Sequence, residues 1–270
     1  MDLPLNKFKK AIAEGNIQYG LWAGIPDSTC AEICASTGFD WLLLDGEHAP
    51  FDMRSIYTYL QAVAPYDIHP IVRAVKGDIN LIKQLLDFGA QTLLIPMVDT
   101  KEQADELVQA MRYPPQGIRG MGSSIARAAR WNAIPGYLQS ANDQVCLLIQ
   151  VESRRAVENL PALLEVEGVD GIFIGPSDLS ASMGHVGNAA HAEVVSTIEH
   201  CIETIVAAGK AAGILAIDPL QARHYISKGA TFVGVGVDTL LLRNSALELA
   251  ASFKDGAKMT NTNSPLKSGY

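Results

Sequence analysis

The sequence predicts one closed (β/α)8 barrel, and three observations predict it. Eight short apolar runs rich in β-branched residues alternate with eight longer helical patterns. Most of the runs are apolar on both faces, as strands of a buried parallel sheet must be. The chain has 270 residues, and a single barrel of this class takes ~250. An open doubly wound sheet is the competing reading. Its dinucleotide-binding form wants a Gly-rich phosphate turn after the first strand. Here that turn is Ala23-Gly24-Ile25-Pro26-Asp27-Ser28, with one glycine.

In order, the predicted strands and the helices that follow them are 17–23 then 28–37, 40–45 then 52–63, 70–75 then 78–88, and 92–97 then 100–111. The second half gives 145–151 then 154–164, 170–174 then 190–208, 211–216 then 218–228, and 231–235 then 238–252. Residues 113–143 break the alternation. They carry Arg119, Arg127 and Arg130 and a short predicted helix near 124–131, and structureless connections this long are usually either functional or misread. The barrel domain is read as 1–257. The Thr/Asn/Ser/Pro-rich tail 258–270 is expected to be disordered.

Composition narrows the function. Apolar residues make up 48% and charged residues 19%, enough for a large core and unlike a disordered chain. The net charge of −8 is the wrong sign for a nucleic-acid-coating surface. No apolar run reaches the ~18–20 residues of a membrane span, and residues 1–10 lack an apolar signal core. The four cysteines form no disulfide framework, and a reducing cytoplasm is expected. Cys30 and Cys34, at i and i+4, read as a packed pair rather than a metal clip.

Barrels keep their chemistry at the C-terminal ends of the strands. Strand two ends Asp45-Gly46-Glu47-His48, three ionisable groups straight after an apolar run. Arg73 in strand three either pairs with Asp45 or Glu47 or holds a substrate carboxylate or oxyanion. Gln150 and Glu152 alternate with apolar residues at the end of strand five, so both point inward. Asp178 follows the turn Gly175-Pro176-Ser177 after strand six. Glu152 and Asp178 at adjacent strand tips suggest a hard divalent cation. A solvated acidic rim, an N-cap by Ser177 or Asp178, or a glycosidase-like pair are the alternatives. No lysine but Lys76 lies just past a strand end, which disfavours Schiff-base chemistry. The glycines of Gly234-Val235-Gly236-Val237-Asp238 could bind an anion or only make room. Trp22 is read as a pocket wall or core.

The runs LLLDGEHAP (42–50), PIVRAVKGD (70–78), RYPPQGIRGMG (112–122), ARAARW (126–131) and GVDGIFIGPSDLSASMG (168–184) closely resemble the HpcH/HpaI aldolase family. The resemblance runs from about Phe8 to about Phe253. It implies a metal-dependent class II pyruvate aldolase on a β/α barrel. Glu152 and Asp178 would ligate Mg²⁺, Mn²⁺ or Co²⁺, with no Schiff-base lysine. His48 would be the base, Arg73 would stabilise the enolate oxygen, and Asp87 would support the basicity of His48. Gln150 and Ser177, with Asp178 and Arg73, would contact the substrate. Asp45 and Glu47 would form an outer shell around metal-bound water. The family has alanine where this chain has Ser177, so contacts to the substrate carboxylate are expected to differ.

The implied substrate is 4-hydroxy-2-oxoheptanedioate, from aromatic catabolism, cleaved to pyruvate and succinate semialdehyde. A sugar-derived acid such as 2-dehydro-3-deoxyglucarate, or a CoA thioester, is the alternative, and a non-catalytic scaffold is a third reading. Leu215 and Ile217 would help shape the aldehyde pocket. The resemblance also implies a homohexamer that exchanges its last helix between subunits, while charge and hydropathy point to no nucleic-acid or membrane partner.

Overall fold

A computed structural model describes residues 2–254, so the predicted tail 258–270 lies outside the described residues. Eight parallel strands close on themselves in chain order. They are β1 (Gln18–Ala23), β2 (Trp41–Asp45), β3 (His69–Arg73), β4 (Thr92–Ile95), β5 (Cys146–Val151), β6 (Gly171–Ile174), β7 (Ala211–Leu215) and β8 (Phe232–Val237). The competing open sheet is thereby excluded. Closure runs through β8 and β1, whose register slips between Gly20 and Leu21.

The barrel interior is a packed core. Trp22, Trp41, Leu43, Ile71, Leu94, Leu148, Phe173 and Phe232 fill it, and Phe8 and Ile12 close its lower end. Two glycines make room for the largest rings. A Cβ at Gly20 would collide with the Trp41 ring, and one at Gly213 with the Phe232 ring. Outside the strands a second apolar shell packs against the helices.

The helices start where the sequence supplies an acceptor. Asp27, Asp52, Asp78, Thr100, Ser153 and Asp218 each cap the helix that follows a strand, with side-chain oxygens on its first free N–H groups. Three helices were not anticipated: Lys7–Ala13, Tyr137–Gln144 and Pro176–Ser182. Each is only seven or eight residues long, too short to show a clear apolar period. The predicted helix 154–164 is two helices, Arg154–Glu158 and Leu160–Leu164, parted at Asn159. Pro161 supplies no N–H to continue the first. The helix predicted near 124–131 is a single 3₁₀ turn, Arg127–Ala129. Arg130, Trp131 and Asn132 follow at φ of 48°, 53° and 67°, left-handed backbone that a right-handed helix cannot pass through.

The last helix, Asp238–Lys254, buries only Asp238 in this chain. Leu240, Leu241, Leu242, Leu247, Leu249 and Phe253 are exposed. Among the described residues, no helix is long and apolar enough to cross a membrane.

Candidate active site

The polar residues at the upper ends of β2, β3 and β5 form one chain of hydrogen bonds. Arg73, at the end of β3, is 7% exposed. A buried guanidinium needs partners, and it has four. Its Nε and Nη2 donate to the two oxygens of Asp45 at 2.9 and 2.6 Å. Its Nη1 donates to Gln150 Oε1 at 3.4 Å and lies 2.9 Å from Glu47 Oε2 in an ion pair. The indole of Trp22 lies under the guanidinium, 4.9 Å away, and donates its N–H to Asp45 at 3.0 Å. Trp22 is therefore a wall of the site with a polar task.

Asp45 is saturated. Besides Arg73 and Trp22, it accepts the backbone N–H groups of Glu47 and His48. Its place is behind Arg73, holding it, and no oxygen is left to face the mouth. Burial raises its pKa, but hydrogen bonds and charge from Arg73 outweigh that and keep the carboxyl below its ordinary value. Gly46 lets the chain turn here, because the Arg73 carbonyl lies 2.6 Å from where a Cβ would be.

The network continues from Gln150, whose Nε2 donates to Glu152 Oε2 at 2.7 Å. The other Glu152 oxygen accepts the N–H of Met97 at 2.8 Å. Met97 sits at φ 55°, a strained conformation for a side-chain-bearing residue. The sequence carried no sign of it, because its contribution is a backbone N–H. Glu152 is 3% exposed. Burial first, then the charges of Asp178 and Glu47, push its carboxyl up to about 7. Glu47 is raised as well, by burial, with Arg73 and His48 acting in the opposite direction. A Cβ at Gly175 would collide with the Glu152 carboxylate, so the glycine after β6 lets Glu152 lie against that turn.

His48 is 65% exposed, and its Nε2 lies 3.8 Å from Glu47 Oε2. Ser177 and Asp178 stand exposed in the first turn of Pro176–Ser182. Asp87 is elsewhere. It lies near the lower end of the helix Ile79–Phe88, which starts at the upper rim after β3 and runs back down. Its carboxylate binds Arg119 Nη2 at 2.7 Å. Among the described residues, no hydrogen bond or ion pair joins Asp87 to His48. Arg127, also in the long connection, binds the carbonyls of Phe88 and Leu60. The Gly234–Asp238 stretch is strand up to Val237, and the Asp238 carboxylate already takes the N–H groups of Gly24, Ile25 and Thr239. An anion has no place there.

The family model HpcH/HpaI aldolase/citrate lyase matches residues 18–245. The chain belongs to this family. A hydroxypyruvate/pyruvate aldolase of Deinococcus radiodurans is 62% identical over 94% of this chain and 91% of its own length. A 2-keto-3-deoxy-L-rhamnonate aldolase of Salmonella gallinarum is 57% identical over 92% of this chain and 93% of its own. Among solved structures, an HpcH/HpaI aldolase/citrate lyase family protein from Burkholderia cenocepacia J2315 superposes with TM-score 0.88 at 36% identity. That match covers 92% of this chain and 99% of the other. The HpcH/HpaI family comprises metal-dependent class II aldolases, and this member is a carbon–carbon lyase.

Proposed function

We propose that the chain cleaves and forms 4-hydroxy-2-oxo acids by a retro-aldol reaction at a divalent cation held by Glu152 and Asp178. One observation carries this reading. Three carboxylates, Glu47, Glu152 and Asp178, crowd a mouth whose buried cation, Arg73, is already tied to Asp45, and burial first, then the charges of Asp178 and Glu47, push Glu152 up to about 7. A cation relieves that repulsion. Two protein carboxylates leave positions for substrate oxygens and water. When bound, the ion supplies Lewis-acid polarisation of the keto acid and permits ion choice among Mg²⁺, Mn²⁺ and Co²⁺.

The chain's own residues do the rest. His48, exposed at the rim, takes the proton of the 4-hydroxyl. The C3–C4 bond breaks, an aldehyde leaves, and its electron pair stays with the pyruvate-derived enolate. Arg73 faces the developing oxyanion, pre-aligned by Asp45 and Trp22, so no reorganisation is needed as charge appears. Gln150 orients Glu152, and Ser177 and Asp178 contact the keto acid. Among the described residues no lysine is fully buried.

The named relatives support pyruvate or hydroxypyruvate as the keto-acid half and a sugar-derived aldehyde as the other, rather than 4-hydroxy-2-oxoheptanedioate. The protein would work as a homo-oligomer, a hexamer by resemblance, because the last helix offers its leucines to a neighbour. Asp87 would then reach a His48 only from another copy. A panel of 2-keto-3-deoxy sugar acids, 4-hydroxy-2-oxoheptanedioate and CoA thioesters, assayed for pyruvate release with and without chelator, tests the reading. Chelator-sensitive release from the sugar acids is expected. Release that persists in chelator, or covalent trapping of a lysine by borohydride with pyruvate, would overturn it.

A further inference from the structure

Two cysteines lie outside the chemistry above. Cys30 and Cys34 stand one turn apart on the helix Ser28–Ala35, so they face the same way. Cys34 is buried and Cys30 half-buried, which leaves a path from solvent. Opposite them is Asp238, the first residue of the last helix, 5% exposed. Cys30 Sγ lies 3.8 Å from Asp238 Oδ2, and one donor atom from each of the three residues lies within 4.8 Å of the others. A tetrahedral ion with metal–sulfur bonds of about 2.3 Å and metal–oxygen bonds of about 2.1 Å sets its donors roughly 3.5–3.8 Å apart. The triangle is therefore nearly formed.

Asp238 is fixed in advance. Its Oδ1 accepts from Gly24 N at 2.8 Å and Thr239 N at 2.6 Å, while Oδ2 accepts from Ile25 N at 3.0 Å. Oδ2 keeps a lone pair for an ion. Beside the cluster, the Tyr59 hydroxyl is buried without a hydrogen-bond partner. It is close enough that the charges of Cys34, Cys30 and Asp238 all act on it. A water completing the ion's coordination would donate to that hydroxyl.

We propose that Cys30, Cys34 and Asp238 form a second cation site, specific for a thiophilic divalent ion of the zinc class and separate from the catalytic carboxylates. Binding makes two metal–sulfur bonds and one metal–oxygen bond. The two thiol protons go to solvent, no electron moves, and the site ends with net charge −1. The ion would tie the helix Ser28–Ala35 to the last helix and to the loop after β1, at the rim beside Trp22. The other close donor set among the described residues, His185, His191 and Glu193, has a different geometry. Its imidazoles stack at 3.6 Å and 17°, and His191 Nδ1 accepts the Glu193 N–H, so the lone pairs run side by side instead of converging.

Co²⁺ added to the full-length protein already saturated with Mg²⁺ reads this site directly, because the catalytic donors are all oxygen. One further equivalent should give a near-ultraviolet sulfur-to-cobalt charge-transfer band that Zn²⁺ removes. The band should vanish in Cys30→Ser and in Cys34→Ala, while Mg²⁺-supported aldolase activity stays at the wild-type level. Cys30→Ser changes one half-buried atom, and circular dichroism checks its fold. Absence of the band in the wild type, or an undiminished band in Cys30→Ser, would overturn the proposal.

Discussion

The two ends of the barrel solve the problem of buried polar groups in opposite ways. At the lower end most such groups among the described residues find a neutral or opposite partner, the Thr231 hydroxyl excepted. Asn6 donates to Thr92 at 3.0 Å and to the Gln144 carbonyl at 2.9 Å, and His69 shares the Thr92 hydroxyl at 2.7 Å. Arg119 pairs with Asp87, and Lys9 with Asp170. At the upper end Asp45 and Glu47 share one arginine, and no ion pair among the described residues reaches Glu152 or Asp178. The lower end is finished by folding alone. The upper end keeps an unbalanced charge, which is where binding energy for a cation and a keto acid is stored.

The largest test of that contrast is Arg73. Arg73→Lys keeps the charge but loses the bidentate grip on Asp45, and Arg73→Ala loses both. Turnover should fall ~10²-fold or more in Arg73→Ala, by the measure of an oxyanion partner lost, with Arg73→Lys recovering little of it. Steady-state kinetics on the metal-loaded enzyme decides this, and near-wild-type turnover in Arg73→Ala would break the comparison.

Next comes pH. In the metal-free fold Glu152 holds its proton more tightly than in the unfolded chain, its carboxyl pushed from 4.5 to about 7 by burial and by Asp178 and Glu47. Its contribution to stability is therefore complete below 4.5 and lost as pH rises through about 7. Thermal melts in chelator should show that decline, and Glu152→Gln should remove most of it. An unchanged slope in the variant would place the charge imbalance elsewhere.

Smaller effects belong to the lower end. Thr92→Val strips Asn6 and His69 of a shared partner, so the unfolding free energy measured by denaturant titration should drop by about 1–3 kcal/mol with turnover unchanged. Lys7→Ala, which breaks an exposed pair with Asp67, should change neither.

The fold was legible because buried parallel strands must be apolar on both faces. All eight strand positions were readable, each to within about two residues, the usual uncertainty of element ends. Short helices were not, since seven residues such as Lys7–Ala13 carry too little periodicity. In the site, Asp45, Glu47, Arg73, Gln150 and Glu152 stood out as charges or amides within apolar runs, and the structure joins them in one network. Met97 did not stand out, because a backbone N–H has no signature in the side-chain alphabet. Asp87 shows the converse. No local pattern marks it, and its helix carries it to the lower end, away from His48.

Manganese binding to the chelator-stripped protein, followed by electron paramagnetic resonance, tests the central claim most directly. Mn²⁺ prefers oxygen donors and should bind at Glu152 and Asp178. The account predicts tight binding in the wild type, with the bound signal lost in Glu152→Gln and in Asp178→Asn and activity restored only where the ion binds. Undiminished binding in both variants, or full turnover in chelator, would contradict it.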